Sequence, residues 1–354
     1  MENLTFYKGK RVLVTGHSGF KGRWLSYWLA KMGADVLGVS LKLPMEEEKN
    51  IFSVVADRVV NSFWCDIRDL VQMQEIFADF RPDMVFHLAA QPIVLESYQK
   101  PVDTYSTNVM GTINLLECVR QTDSVRSVVN ITTDKVYENH EWAWGYRETD
   151  ALDGYEPYAN SKSCSELVTA CYKRSFLTEK GIAVSTLRAG NVIGGGDFSP
   201  HRIIPDCVRA VCAGEKIQIR NPLSIRPYQH VLDPLYAYMM VAARQYENPK
   251  LAGCYNVGPE GADCVTTEQL VNMFCKVWGS EATWELATCV KPQHEANFLR
   301  LDCSRIKQVF DWHPVWDIGM AVQKTVEWTK AWRAGNDVAA VMDEQIADFM
   351  EDRK

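Results

Sequence analysis

Short apolar runs rich in β-branched residues alternate with longer stretches of helical spacing along most of this chain. The runs read RVLVTG, ADVLGVS, DMVFHLAA, SVVNITT, AVSTLRAGN and, later, CYNVG. Between two of them, Val109, Ile113 and Leu116 recur at the spacing of one helix face. This alternation predicts an α/β fold with a doubly wound parallel sheet, whose strands are apolar throughout because helices cover both faces.

A change of composition after about residue 191 predicts a smaller second lobe. GGGDFSPHRIIP and RNPLSIRPYQHV are rich in Gly, Pro and Arg, and KPQHEANFLRLDCSR has the same loop character. Because CYNVG returns to the sheet, the predicted division is discontinuous. Residues 1–190 with about 229–258 form the sheet domain, and about 191–228 with 259–354 form a lobe that covers the carboxyl ends of the strands, where such folds bind ligands.

Composition excludes several classes of partner. With 354 residues, 47% hydrophobic and 23% charged, the chain is an ordinary globular protein, and its net charge of −7 gives no attraction to nucleic acid or anionic membranes. No signal pattern or membrane-spanning run is visible. The eleven cysteines are scattered, without CxxC or metal-ligand spacing. We therefore expect free thiols, a cytoplasmic protein and no metal site, nucleic-acid partner or membrane partner.

A glycine-rich turn joins the first strand to the first helix. Gly16, Gly19 and Gly22 follow RVLVT and lead into a helix that contains Trp24 and Trp28. A glycine triad alone is weak evidence, since it also suits a plain tight turn. The strand before it and the helix after it favour a nucleotide site, with a pyrophosphate held at the helix N-terminus.

Tyr158 and Lys162 stand four residues apart at the start of a predicted helix, so both project from one face. A phenol with a pKa of about 10 is a poor base at neutral pH, and a neighbouring ammonium favours its ionised form. Such spacing also occurs in ordinary surface pairs. Because the pair follows a predicted nucleotide-binding half, we interpret it as catalytic.

Opposite charges follow directly on the buried strand that ends ITT. Asp134 and Lys135 occupy its carboxyl end, where parallel sheets place their sites. Acid–base work by this pair needs a protonated Asp134 and a neutral Lys135. Burial favours both states, and Lys162 nearby favours the second. The alternative is that Lys135 only orients Asp134 or points to solvent.

Four segments carry a resemblance over essentially the whole chain: VTGHSGFKG, TTDKVY, YANSKSCSE and RAGNVIGGGD. They resemble the extended, nucleotide-sugar branch of the short-chain dehydrogenase/reductase superfamily, which implies a Rossmann sheet with a smaller substrate lobe. In that branch 4,6-dehydratases carry an acid–base pair after a Ser or Thr, and simple epimerases do not. Thr133-Asp134-Lys135, together with EWAWGYRE and RNPLSIRPYQHV, resembles the dehydratases that act on CDP-glucose.

The resemblance implies a reaction and a cofactor. Tyr158 would take the C4 hydroxyl proton, with Thr133 holding that hydroxyl, while a hydride passes to a nicotinamide. Asp134 is the candidate acid at the C6 hydroxyl and Lys135 the candidate base at C5. Ser40 and Lys42 end the second strand without a carboxylate, so the residues leave NAD and NADP open, whereas the resemblance favours NAD.

The implied cofactor contacts run from the glycine turn to the catalytic helix. For Asp66 a helix cap and for the alanines core packing are the alternatives. The predicted contacts are Gly16, Ser18, Gly19, Phe20, Lys21, Gly22, Ser40, Asp66, Ile67, Leu88, Ala89, Ala90, Thr107, Tyr158 and Lys162.

For the nucleotide sugar, arginines suit the phosphates because a guanidinium binds them bidentately. The predicted substrate contacts are Gln91, Asn191, Arg202, Arg220, Arg226 and Glu295, with Arg226 first. Leu95 stands where the family leads us to expect a basic residue. Trp142 and Trp144 lie close enough in sequence to screen the acid–base pair from water. His87, His230 and His294 are expected to be structural.

The family also implies a homodimer, paired through the helices that follow Asn108 and Tyr158. Two alternatives to a dehydratase stay open. A C4 epimerase or reductase of the same branch would leave Asp134 and Lys135 as spectators. A regulator that binds dinucleotide without turnover would not need Tyr158.

Overall fold

The computed structural model describes residues 5–41, 61–287 and 299–353. Its strands are β1 Arg11–Thr15, β2 Asp35–Ser40, β3 Asn61–Trp64, β4 Met84–His87, β5 Ser127–Thr133, β6 Ala183–Ala189, β7 Val192–Ile193, β8 Ile217–Ile219, β9 Ile225–Pro227, β10 Gln229–His230, β11 Cys254–Val257, β12 Cys264–Thr266 and β13 Trp284–Leu286. Seven of them form a sheet in the order β11-β6-β5-β4-β1-β2-β3, with every neighbouring pair parallel. The predicted doubly wound sheet is confirmed.

The winding direction of the sheet reverses between β1 and β4. From β1 the chain builds outward to β3 on one side, and from β4 it builds outward to β6 on the other. Ligands of such sheets bind beyond the carboxyl ends of the strands at this reversal. The topology therefore predicts a ligand site at the carboxyl ends of β1, β4 and β5.

Helices cover both faces of the sheet. They are α1 Phe20–Lys31, α2 Leu70–Phe80, α3 Val94–Gln99, α4 Pro101–Tyr105, α5 Gly111–Gln121, α6 Pro157–Tyr172, α7 Ile203–Ala213, α8 Leu232–Glu247, α9 Thr267–Trp278, α10 Ser304–Phe310, α11 Ile318–Arg333 and α12 Val338–Asp352. Single 3-10 turns include Asp134–Val136, and residues Ser106–Met110 and Lys173–Leu177 are π-helical. Within β1, Val12 and Val14 pack into one apolar cluster and Leu13 into the other, as a two-residue period requires.

A third apolar cluster lies outside the sheet. It contains Ile204 of α7, Phe274 of α9 and Val322 of α11, beside the small pairs β7–β10, β8–β13 and β9–β12. This cluster occupies the part of the chain predicted to form the smaller lobe, and β11 joins the sheet from beyond it. The domain boundaries themselves stay a prediction. Within the described ranges, every helix is too short or too polar to cross a membrane.

Candidate active site

A cavity of about 310 Å³ opens beyond the carboxyl ends of β4, β5 and β6. The second lobe closes its far side. Thirteen predicted site residues line it: Phe20, Lys21, Leu88, Ala90, Thr133, Asp134, Lys135, Tyr158, Lys162, Asn191, Arg202, Arg220 and Arg226. The structure thus brings together every candidate catalytic residue and four candidate phosphate or sugar contacts.

The other predicted residues lie outside the lining of this cavity. Those around the glycine turn and the neighbouring strand ends are Gly16, Ser18, Gly19, Gly22, Ser40, Asp66, Ile67, Ala89 and Thr107. The predicted substrate contact of Gln91 is corrected by the structure. Its side chain donates to Thr104 Oγ1 at 2.9 Å and accepts from the Ile93 N–H at 2.5 Å, so it supports the wall without reaching the cavity. Glu295, Lys42 and His294 lie outside the described residues.

The glycine turn is packed too closely for side chains. Gly16 has a φ of +75°, and a Cβ on it would lie 2.7 Å from the Ala89 nitrogen. A Cβ on Gly22 would lie 2.0 Å from the Gly16 carbonyl oxygen. The first N–H groups of α1 have no partners within the helix, and they start at this turn. This bare backbone cradle fits a dinucleotide pyrophosphate.

Gly16→Ala is expected to lower the free energy of unfolding by more than Gly9→Ala. Both glycines have positive φ, +75° and +73°, but a Cβ on Gly9 would meet nothing within 4 Å. Gly9→Ala therefore measures backbone strain alone, about 1 kcal/mol, and Gly16→Ala adds the collision with Ala89 for a total of about 2–3 kcal/mol. Urea denaturation of both variants checks this. Equal losses would show that the turn relaxes around the new methyl group.

Asp66 is held by Arg68 at the edge of the sheet. Its carboxylate accepts from the Arg68 backbone N–H at 2.9 Å and from the guanidinium at 2.6 Å, which lowers the pKa of Asp66. The cap of α2 is Asp69, which accepts from the Gln72 N–H, so the helix-cap interpretation of Asp66 is wrong. Ile67 is buried beneath Gly111.

Asp134 is buried at the centre of the cavity wall. Its Oδ1 accepts from Thr133 Oγ1 at 2.9 Å, and its Oδ2 has no hydrogen-bond partner within the described part of the chain. Burial raises the pKa of Asp134, against the opposing effects of Lys135, Thr133 and Arg226. The shift favours the protonated acid that the predicted chemistry requires.

Tyr158 and Lys162 face the same cavity from α6. Burial raises the pKa of Tyr158 to about 12, although a hydrogen bond with Thr133 and the charge of Arg202 oppose the rise. The Lys162 amine donates to the Ile131 carbonyl at 3.1 Å, and burial lowers its pKa to about 8, with Glu166 opposing. In the protein alone, burial is therefore the largest effect on the pKa of Tyr158, and it opposes the ionisation that a neighbouring ammonium favours.

Cations from both lobes converge on the cavity. Lys21 comes from α1, Arg226 from β9, and Arg202 precedes α7 beside Asp197, its partner at 3.4 Å. Burial, with Arg202 and Lys162, lowers the pKa of Lys21 to about 7. An anion bound among these groups would relieve their mutual repulsion, as a diphosphate would.

Several lining residues were not predicted. They are Pro92, Ile93, Val94, Asp197, His201, Gln218, Asn221, Ser224, Tyr228 and Thr267. Five of them lie in GGGDFSPHRIIP or RNPLSIRPYQHV, namely Asp197, His201, Asn221, Ser224 and Tyr228, but no local pattern marked these five as site residues. Leu95 also lines the cavity, as part of an apolar stretch that begins at Pro92.

The aromatic screen predicted from Trp142 and Trp144 is wrong. Among the residues that the structure describes, neither lines the cavity. Trp142 instead packs at a tilt against Trp144 and Tyr146, with ring centroids 5.1 and 5.2 Å apart, and Trp144 is 61% exposed. Closeness to Asp134 in the sequence therefore did not bring these two tryptophans to the cavity that Asp134 lines.

The predicted structural histidines differ in their bonding. His87 is fully bonded: Thr112 Oγ1 donates to the Asn108 carbonyl, so His87 Nε2 donates to Thr112 and Nδ1 accepts from Thr15 Oγ1 at 2.7 Å. Burial lowers the pKa of His87 to about 3. His230 accepts a long bond of 3.4 Å and packs its ring against Trp316.

Comparisons with known proteins agree with this geometry. The family described as GDP-mannose 4,6 dehydratase matches residues 13–325. The chain is 45% identical to a CDP-glucose 4,6-dehydratase of Salmonella typhimurium, over 99% of each chain. In fold it is similar to a dTDP-glucose 4,6-dehydratase of Bacillus anthracis in complex with NAD, with a TM-score of 0.77, 20% identity and coverage of 94% and 100%. A UDP-glucose 4-epimerase of Thermus thermophilus in complex with NAD has a TM-score of 0.78, 26% identity and coverage of 90% and 99%.

Proposed function

The chain belongs to the GDP-mannose 4,6 dehydratase family, and we propose that it is a CDP-glucose 4,6-dehydratase, a hydro-lyase that uses NAD. One observation carries the proposal beyond the family. A buried Asp134 with a raised pKa lies in the same cavity as Tyr158 and Lys135. Oxidation at C4 alone does not need this acid, whereas loss of water from C5 and C6 does.

The proposed reaction has two stages of proton transfer, and different side chains act in each. Tyr158 takes the C4 hydroxyl proton while Thr133 holds that hydroxyl; the charge of Arg202 favours the phenolate that this step requires. The glycine turn and Lys162 would hold NAD, which would supply a hydride acceptor for C4 and a hydride donor for C6. The 4-ketone acidifies C5, Lys135 takes the C5 proton, and Asp134 protonates the departing C6 hydroxyl. Hydride addition at C6 of the resulting C5–C6 double bond, together with protonation at C5, gives the 4-keto-6-deoxy sugar.

The two ends of the cavity suit the two ligands. The glycine turn would hold the dinucleotide, with Phe20, Lys21, Leu88 and Ala90 between it and the catalytic groups. The substrate diphosphate would be bound by Arg202, Arg220, Arg226 and Asn191, which line the side of the cavity nearest the second lobe. Guanidinium groups bind phosphate oxygens bidentately, which suits these positions.

Mass spectrometry in deuterated water tests the proposal. The protein would be incubated with NAD and CDP-glucose, and separately with UDP-, dTDP- and GDP-sugars. Loss of one water with one deuterium gained from solvent, from the CDP sugar alone, is the expected result. Isomerisation without water loss would favour a C4 epimerase instead, and unchanged mass with every sugar would favour a dinucleotide-binding regulator.

We further propose that the protein is a homodimer. An apolar surface runs over α3, α4, α6 and the π-helical turns beside them, and it is formed by Tyr98, Val102, Met110, Leu167 and Phe176. Val102 is 82% exposed and Leu167 is 56% exposed. Exposed apolar surface on neighbouring helices is typical of an interface, and the family resemblance assigns the partner as a second copy.

Leu167→Glu is expected to weaken this dimer about 100-fold or more, because an unpartnered carboxylate would be buried between the copies. Light scattering after gel filtration measures the change in mass. Leu286→Glu is the matched control, since Leu286 is 58% exposed on β13, away from this surface. A monomeric wild-type protein, or a dimer unaffected by Leu167→Glu, would contradict the assignment.

We also place the protein in the cytoplasm. Its cysteines among the described residues are free thiols. Burial raises the pKa of Cys65 to about 11 and that of Cys118 to about 12, so these thiols are protonated and unreactive. Such thiols suit a reducing compartment. Fractionation of the native host would test the location.

A further inference from the structure

Gln218 lines the active-site cavity from the second lobe, and its side-chain amide is held in one orientation. It lies on β8, a strand outside the seven-stranded sheet, which pairs in parallel with β13. Its neighbour across the pair is Glu285, whose Oε1 accepts from Gln218 Nε2 at 2.8 Å. Gln218 Oε1 has no hydrogen-bond partner among the residues that the structure describes. This oxygen is therefore an acceptor available to a ligand.

The charge of Glu285 fixes which atom of the amide faces it. Lys216 Nζ donates to the other carboxylate oxygen, Glu285 Oε2, at 3.0 Å. The bonds from Gln218 and Lys216 lower the pKa of Glu285, so its carboxylate is ionised near pH 7 and can only accept hydrogen bonds. A flipped amide would bring Gln218 Oε1 against this anion. The amide nitrogen therefore faces Glu285, and the amide oxygen is left for a ligand.

Gln218 lies beside a cation that suits the substrate diphosphate. Ile217 and Ile219 are buried in the apolar cluster of the second lobe. Because side chains alternate along a strand, Gln218 and Arg220 share the opposite face, about 7 Å apart, and both line the cavity. The sugar must reach Tyr158 in the sheet domain, so the nucleoside beyond the diphosphate extends towards the second lobe. The base then comes within reach of Gln218.

Three polar neighbours of Gln218 line the same part of the cavity without selecting a donor or an acceptor. The side-chain amide of Asn221 has no partner in the described part of the chain, so it can rotate to offer either atom. The hydroxyls of Ser224 and Thr267 lie 2.8 Å apart, and either one can donate to the other. Gln218 differs from all three because Glu285 fixes the atom that it presents.

Cytosine differs from uracil and thymine at the edge that a fixed amide can read. Cytosine has an exocyclic amine, which donates, next to N3, which accepts. Uracil and thymine have the O4 acceptor next to an N–H donor. Gln218 Oε1 suits the cytosine amine, and the second N–H of its amide suits cytosine N3. Against uracil, the same amide would place oxygen against oxygen.

We propose that Gln218, oriented by Glu285, selects cytosine over uracil and thymine in the nucleotide sugar. Its Oε1 accepts from the exocyclic amine of the base. Glu285 prevents the rotation of the amide that would serve O4 of uracil. This inference rests on the proposed dehydratase function and assigns the side chain that reads the base of its substrate.

Gln218→Leu removes the acceptor and nearly keeps the size of the side chain. Isothermal titration calorimetry on the NAD-loaded protein would measure the Kd of CDP and of UDP. The wild-type protein should bind CDP about tenfold more tightly than UDP. In Gln218→Leu the Kd of CDP should rise about tenfold and that of UDP less than about threefold, so the preference disappears.

Gln323→Leu is the matched control for this substitution. Gln323 is also an exposed glutamine whose amide donates to a glutamate, Glu327 Oε1, at 2.8 Å. It lies on α11 and does not line the cavity. The Kd values of CDP and UDP should therefore both stay at their wild-type values in Gln323→Leu.

Glu285→Met tests the orientation of the amide while Gln218 stays in place. The released amide can rotate to donate to O4 of uracil, so the Kd of UDP should fall about three- to tenfold. The Kd of CDP should change less than about threefold. Lys216→Met is the control, because it keeps the Glu285 carboxylate and should keep the preference for CDP. Gln218 and Glu285 are exposed, so we expect these variants to fold like the wild-type protein.

Three results would overturn the selection of cytosine by Gln218. They are equal binding of CDP and UDP by the wild-type protein, equal weakening of both nucleotides in Gln218→Leu, and an unchanged preference in Glu285→Met. Free nucleotides bind without turnover, so these measurements do not depend on dehydration. If the wild-type protein shows the expected preference but does not dehydrate CDP-glucose, the proposed function is overturned and the selection of cytosine stands.

Discussion

Replacing Asp134 by asparagine should slow water elimination by about 10²- to 10⁴-fold and leave oxidation at C4 largely intact. Asp134 is 2% exposed, and burial raises its pKa, which favours the protonated form. Asparagine has no acidic proton to donate to the C6 hydroxyl. Asparagine keeps the shape and can still accept from Thr133 Oγ1. The variant therefore removes the acid and little else.

Single-turnover kinetics with CDP-glucose would separate the two stages. Absorbance of the reduced nicotinamide should rise in Asp134→Asn and persist, whereas the wild-type protein should return to its starting value. Asp206→Asn is the matched control, since Asp206 lies at the rim of the same cavity and pairs with Arg209. Equal loss of both stages would show that Asp134 acts in binding or in the structure, and wild-type water loss would exclude it as the acid.

Removing Arg188 should lower the free energy of unfolding by about 3–5 kcal/mol, because it leaves the charge of Glu166 buried and uncompensated. The side chains of Arg188 and Glu166 are 2% and 1% exposed. Arg188 donates to the carboxylate at 2.9 and 3.0 Å, and Thr132 and Thr186 hydroxyls donate at 2.5 and 2.7 Å. This pair ties β5 and β6 to α6, directly beneath the catalytic residues.

Equilibrium unfolding in guanidinium chloride would measure the loss in Arg188→Met. The double variant Arg188→Met with Glu166→Gln removes both charges and should recover more than half of it. Lys100→Met is the control, because Lys100 and Glu96 form an exposed pair at 3.1 Å, for which about 0.5 kcal/mol or less is expected. A loss of less than about 1 kcal/mol in Arg188→Met would show that water or a rearranged side chain compensates the buried carboxylate.

The predictions that held depend on neighbours in sequence. The strand runs, the glycine turn and the four-residue spacing of Tyr158 and Lys162 are local patterns, and local backbone geometry carries them into the structure. The predictions that failed concern distant contacts. Trp142 is near Asp134 in sequence, yet it packs against Tyr146 away from the cavity, and Gln91 turns towards Thr104.

The side-chain ionisation of the site is a tertiary property. Desolvation raises the pKa of Asp134 and of Tyr158 and lowers that of Lys162, and no motif carries information on burial. Sequence motifs also did not predict every side chain of the second lobe that reaches the cavity. Ser224 and Thr267 reach the cavity from segments far apart in the chain, and no local pattern marked either one as a cavity residue.

The amino-acid order by itself determined the parallel sheet, the turn that suits a dinucleotide and the choice of candidate catalytic groups. Periodicity, glycine spacing and residue chemistry act over a few residues and do not depend on the rest of the fold. Tertiary structure alone decided which side chains share the cavity and which of them are buried there. Those properties depend on distance and desolvation, which arise only when remote segments pack together.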